Sequence, residues 1–186
     1  MQPQEKQGEE TSDYGEVLGP ATLRIKRLLS ATPEKVWGYL TESEKSAQWL
    51  AAINGELKDG GQFELEFNHK RLSPDEVVPD EFKEHGCHNL SARVLTCDPY
   101  NKLSYTWGSD ENPSEVTIEL EEQGDKTLLT LTHAKLRDSG QMLSVSGGWH
   151  SHLNTLRDKL EGKEQAPFWD TLLKVREEYR GMIKGE

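Results

Sequence analysis

Apolar and polar residues alternate along much of this chain. Leu23, Ile25, Arg27 and Leu29 alternate with Thr22, Arg24, Lys26 and Leu28, so residues 21–29 read as a strand. Thr32-Pro33 then reads as an N-cap followed by proline at the first helical position. The helix it opens carries Val36, Trp37 and Leu40 on one face. Thr41 and Glu44 have capping-box spacing, which predicts a second short helix ending near Trp49. Asp59-Gly60-Gly61 turns into Phe63, Leu65 and Phe67, which alternate with Glu64 and Glu66. Residues 69–86 break the period with Pro74, Pro79 and many charges, and read as a long loop with room for one helical turn.

Strand signals resume at 90–96, 103–107, 116–120 and 127–133. The turns between them are Asp98-Pro99-Tyr100-Asn101 and Gly124-Asp125. Clean alternation gives each strand one dry and one wet face, the signature of an antiparallel sheet. Phe63, Leu65, Tyr105, Trp107, Ile118, Leu129 and Leu131 fall on the dry face. A loop is expected at 135–146, with Ser146 capping a helix whose stripe is Trp149, Leu153, Leu156 and Leu160. Gly162 suits its C-cap, and Pro167 opens a further amphipathic helix to about Gly181, with Leu172, Val175, Tyr179 and Met182 on one side.

Composition narrows the function classes. At 186 residues the chain suits one domain with extensions: a polar, acidic tail over 1–18 expected to be disordered, a domain over 19–163 and a helical extension over 164–186. The net charge is −11, and no basic face is in view for a nucleic-acid backbone. The N-terminus lacks an apolar signal region, and no apolar run approaches the roughly 20 residues of a membrane span. A cytoplasmic protein is expected, without membrane insertion. Cys87 and Cys97 read as reduced thiols, because ten residues of one extended strand would hold them roughly 33 Å apart.

Seven short motifs then appear in order over residues 21–162. They are Arg27-Leu-Leu-Ser-Ala-Thr-Pro-Glu-Lys-Val-Trp37, Gln48-Trp49, Gly60-Gly61-Gln-Phe63, Asp98-Pro99 with Leu103-Ser-Tyr-Thr-Trp107, Val116-Thr-Ile-Glu-Leu120, Thr127-Leu-Leu-Thr-Leu-Thr-His133 and Gly147-Gly-Trp-His-Ser-His-Leu153. Together they resemble the family named after the activator of the heat-shock-protein-90 ATPase, in the START/SRPBCC superfamily. The resemblance implies an α+β helix-grip fold. A curved antiparallel sheet of six to seven strands would wrap a long C-terminal helix, with two short helices after the first strand. It also implies a hydrophobic pocket between sheet and helix, as in the single-domain bacterial-type members.

The candidate pocket residues are Arg27, Trp49, Phe63, Leu65, Tyr105, Trp107, His133, Trp149, His152 and Leu153. For the aromatic members of this set the competing reading is ordinary core packing. Arg27 on a dry face needs a partner, either a ligand oxygen at the pocket end or a salt bridge at the strand end. His133, His150 and His152 could converge at one pocket end. His150 and His152 are two apart, however, and point to different sides of a helix, so no metal is expected. Gly147-Gly148 reads as close packing of a helix start against the sheet rather than a phosphate cradle.

No Ser/His/Asp set, C-x-x-C or H-E-x-x-H occurs, and no cofactor is expected. Binding of a small hydrophobic molecule, a lipid or an aromatic metabolite, is the leading expectation. A co-chaperone-like interaction module, which would touch a chaperone, is the alternative. The balance is against an enzyme of cyclase or hydrolase type. The last helix is expected either to dock on its own domain or to mediate a homodimer.

Overall fold

The computed structural model describes residues 12–84, 86–108 and 110–184. Its centre is an eight-stranded antiparallel sheet in the spatial order β1-β2-β8-β7-β6-β5-β4-β3. The strands are β1 (Glu16–Val17), β2 (Leu23–Leu29), β3 (Ala52–Gly55), β4 (Gln62–Asn68), β5 (Cys87–Asp98), β6 (Lys102–Trp107), β7 (Ser114–Gln123) and β8 (Lys126–Ala134). Between β2 and β3 lie α1 (Pro33–Thr41) and α2 (Ser43–Ser46). After β4 come α3 (His69–Leu72) and a 3-10 turn at Asp80–Phe82. The long α4 (Ser139–Glu161) follows the sheet, and α5 (Phe168–Lys184) follows α4.

The expected alternation is realised. Leu23, Ile25, Arg27 and Leu29 are buried on β2, as are Phe63, Leu65 and Phe67 on β4 and Val116, Ile118 and Leu120 on β7. Glu66, Glu119 and Glu121 face out. Register is firm: β2 pairs with β8 from Leu23↔His133 to Leu29↔Thr127. A one-residue slip would turn the whole apolar set to water. Thr32 caps α1 by accepting from the Lys35 N–H, with Pro33 at the first helical position.

Two strands beyond the six located in the sequence bring the sheet to eight, against the six to seven expected. β3 is short and ends in Asn54-Gly55, which gave no period to read. β1 lies in the segment expected to be a tail: Glu16 pairs with Arg24 and Val17 with Leu23. The rest of that expected tail, 1–11, lies outside the described residues.

Local corrections have local causes. Thr41 is the last residue of α1 and its hydroxyl donates to the Trp37 carbonyl, so it caps no second helix; Glu42 precedes α2 without a side-chain cap. α4 begins at Ser139 behind Asp138, whose carboxylate accepts from the Gln141 N–H, and not at Ser146. Ser146 lies inside α4, fully buried, and its hydroxyl donates back to the Met142 carbonyl. Gly147 is therefore a mid-helix residue. A Cβ placed there would sit 3.4 Å from the Arg176 Cβ, so its bareness lets α5 approach α4. Gly162, at φ 64°, ends α4 as expected. Cys87 and Cys97 both lie on β5 and are unpaired. Among the described residues, no helix is long and apolar enough to cross a membrane.

Candidate functional site

The dry face of the sheet and α4 enclose two very different spaces. At one end Trp49, Phe63, Leu65 and Tyr105 meet Leu40, Leu50, Leu103 and Ile118 around a residual gap of about 10 Å³. Tyr105 is 3% exposed and meets Phe63 edge-on at 5.3 Å. Burial holds its hydroxyl well above the ordinary phenol range. Trp49 donates its indole N–H to the Tyr39 carbonyl at 2.8 Å. These four expected pocket residues are a packed core.

At the other end a cavity of about 370 Å³ opens. Its sheet wall is Phe67, His88 and Trp107, and its α4 wall is Val145, Gly148, Trp149 and His152. His69, on α3, adds to the wall, and α5 and the 3-10 turn close it with Phe168, Trp169, Leu172 and Phe82. The rings pack at close range: Phe67 stacks on His88 at 4.7 Å, Trp107 meets Trp149 at 5.1 Å, and His152 meets Phe168 at 4.8 Å. Of the expected pocket residues, Trp107, Trp149 and His152 line this cavity.

Three others stand elsewhere. Leu153 is fully buried core. His133 sits behind the cavity wall: the Trp149 indole N–H donates to its Nδ1 at 3.0 Å, so its Nε2 carries the hydrogen and gives it to Ser114 Oγ at 2.9 Å. Burial pushes His133 down to about 4, which keeps it neutral in that role. Arg27 lies near the N-terminal segment, 1% exposed, and is no pocket anchor. It donates to the carbonyls of Asp13 at 2.6 Å and Lys26 at 2.9 Å, and to Asn154 Oδ1 at 3.0 Å. Burial lowers it to about 10, partly offset by the Asp13 charge, so it stays cationic at neutral pH.

The expected convergence of His133, His150 and His152 does not occur. His150 turns to the α5 side, with Nδ1 3.0 Å from the Tyr179 hydroxyl, which also accepts from the Gly15 N–H at 2.7 Å. The imidazoles that do gather are His69, His88 and His152; His69 lies 6.4 Å from His88 and 5.7 Å from His152. Among the described residues, no group of His, Cys, Asp or Glu is placed to hold a metal ion.

The closing wall comes from segments without a sheet period. Glu76 joins them: one carboxylate oxygen accepts from the Phe168 N–H at 2.6 Å and the other from the Trp169 N–H at 3.1 Å, at the N-terminus of α5. Arg176 grips Glu81 with both guanidinium nitrogens and lies 5.2 Å over the Phe82 ring. The signal for this wall was Phe168-Trp169 directly after Pro167, two large aromatics on a helix of otherwise polar character.

An open antiparallel sheet curled over one long helix, with an apolar space between, defines a helix-grip protein. The chain belongs to the family described as Activator of Hsp90 ATPase homolog 1-like protein, whose model matches residues 30–161. It is similar to a Bordetella parapertussis protein solved by NMR, at 38% identity and TM-score 0.78, over 91% of this chain and 90% of that one. It shares the fold of CalU16 from Micromonospora echinospora, at 22% identity and TM-score 0.66, over 92% and 96% of the two chains. It also shares the fold of Aha1 from Colwellia psychrerythraea, solved as a dimer, at 18% identity and TM-score 0.58, over 75% and 96%. No curated protein matches the chain.

Proposed function

We propose that this protein binds a small hydrophobic or aromatic molecule in the cavity between β4–β6 and α4. The carrying observation is the cavity itself. Its volume of about 370 Å³ lies within the ~300–1,000 Å³ typical of small-molecule sites. Its walls are mostly aromatic, with a few imidazoles as polar points. Between sheet and helix the packed end offers no comparable space, and the wider groove of about 660 Å³ beside Gln62, Arg93 and Glu111 is lined largely by polar and charged side chains. The interaction-module alternative would have used the apolar face of α5, but Phe168, Trp169, Leu172, Val175 and Tyr179 are already buried in the protein's own fold.

The test is an amide-shift titration of the isotope-labelled chain with lipids, flavonoids and other aromatic metabolites. Saturable shifts at Phe67, Trp107, 144–152 and 168–172 are expected. Shifts confined to the outer surface, or none across the library, would overturn the reading and favour the interaction module.

A further inference from the structure

The walls of the cavity have an uneven polar inventory. Its lining holds no Lys, Arg, Asp or Glu among the described residues. The guanidinium behind Phe82 is committed to Glu81. A carboxylate ligand would therefore enter without a counter-ion, which a mostly apolar site disfavours.

His152 supplies the opposite preference. It is 6% exposed, and its Nδ1 lies 2.7 Å from the Trp49 carbonyl. A carbonyl only accepts, so Nδ1 carries the hydrogen and Nε2 is a bare lone pair. Burial, reinforced by the neighbouring imidazoles, pushes His152 down to about 3, so this tautomer persists at neutral pH. Nε2 is thus the one acceptor of this ring, and His152 lines the cavity. The same cavity holds an unmatched donor, since the buried Trp169 indole N–H has no hydrogen-bond partner there. Both groups were left out of the sheet and helix ladders, and both border one space flanked by aromatic faces.

We propose that the cavity selects a neutral aromatic molecule bearing a hydroxyl, whose O–H donates to His152 Nε2 and whose oxygen can accept from the Trp169 indole. The ring lies among Phe67, Trp107, Trp149 and Phe168. The indole must tilt to complete the second bond, because its nitrogen is closed off in this structure. Hydrocarbons without a hydroxyl and aromatic carboxylates are disfavoured, the first for lack of a donor and the second for its charge. This inference rests on the binding function proposed above and adds the chemical class.

Three probes of one shape separate the claims: 2-naphthol, 2-methylnaphthalene and 2-naphthoate, each titrated into the full chain while following the indole N–H resonances. 2-Naphthol should bind about tenfold more tightly than 2-methylnaphthalene, since burying the imidazole lone pair unmatched is what the methyl probe demands. 2-Naphthoate should bind weaker still. In His152→Phe the two neutral probes should become equal, with the methyl probe no weaker than in the native chain. The comparison on the native chain stands without any variant. Equal affinity of 2-naphthol and 2-methylnaphthalene there overturns the hydroxyl preference and leaves apolar binding intact. Tight 2-naphthoate binding overturns the neutrality requirement. Binding by none of the three removes both this inference and the function it rests on.

Discussion

One sheet face and one helix make both a solid and a hollow in this protein. At the solid end, Leu40, Trp49 and Leu50 from the α1–α2 region fill the space under Phe63, Leu65 and Tyr105 down to a gap of about 10 Å³. At the hollow end the wall aromatics touch one another yet leave a space of about 370 Å³, and the covering pieces are α3, the 3-10 turn and α5. The solid end lies within the stretch matched by the family model, whereas α5 follows it. In this chain the scaffold is solid where α1 and α2 reach and hollow where they do not. The cover of that site is fixed by polar clamps, Glu76 on the start of α5 and Glu81 on Arg176.

The largest expected contrast is in truncation. Trp49→Ala should cost ~3–5 kcal/mol in urea unfolding, because a packed site cannot collapse into the vacancy. Phe168→Ala should cost less, since the residue, though buried, borders the cavity. Equal losses would mean that the hollow end is as solid as the other.

Acid should weaken the hollow end first. His133 and His152 are held at about 4 and about 3, and His150, on the Tyr179 side of α4, at about 4, all below their unfolded value near 6.5. The unfolded chain therefore binds more protons in that window. Their stabilisation is complete above pH ~6.5 and is lost as pH falls toward the folded values, each at up to ~1.4 kcal/mol per pH unit. Unfolding midpoints at pH 7.5 and 5 should fall accordingly, and hydrogen exchange should rise at 149–152 before 103–105. A flat profile would refute the neutral imidazoles.

Smaller again is the clamp. Glu76→Ala should cost ~1 kcal/mol, the usual value of a helix N-cap, with faster exchange at 168–170. Val77→Ala, on the same loop but 86% exposed, should stay within about 0.5 kcal/mol. A larger loss at Val77 than at Glu76 would show that apolar contact, not the carboxylate, holds the cover.

The strands were legible because a half-buried strand writes its burial into every second residue. Phe63-Leu65 and Val116-Ile118-Leu120 could hardly be read otherwise. The first turns of α4 were not, because Ser139-Gly-Gln-Met-Leu-Ser-Val-Ser-Gly-Gly148 has poor intrinsic helix propensity, and packing beneath α5 overrides it. The site was legible in part. Trp107, Trp149 and His152 sit on periodic elements, but which stretch of the dry face stays unfilled depends on what covers it. His69, Phe82 and Trp169 reach the cavity from a loop and a helix far apart in sequence, and no local period encodes that meeting. Arg27 was ambiguous because a charge on a dry strand face looks the same whether it awaits a ligand or, as here, meets the backbone carbonyl of Asp13.

The two long walls of the cavity differ in what they can do in time. Trp149 is pinned through its indole to His133, and His133 to Ser114, so this wall keeps its shape while the sheet stands. The facing wall is held by side-chain clamps alone, Glu76 on the start of α5 and Glu81 on Arg176. A ligand of the proposed kind entering on that side waits on the release of those clamps. Molecules of different size but like chemistry should enter at similar rates and differ mainly in how long they stay.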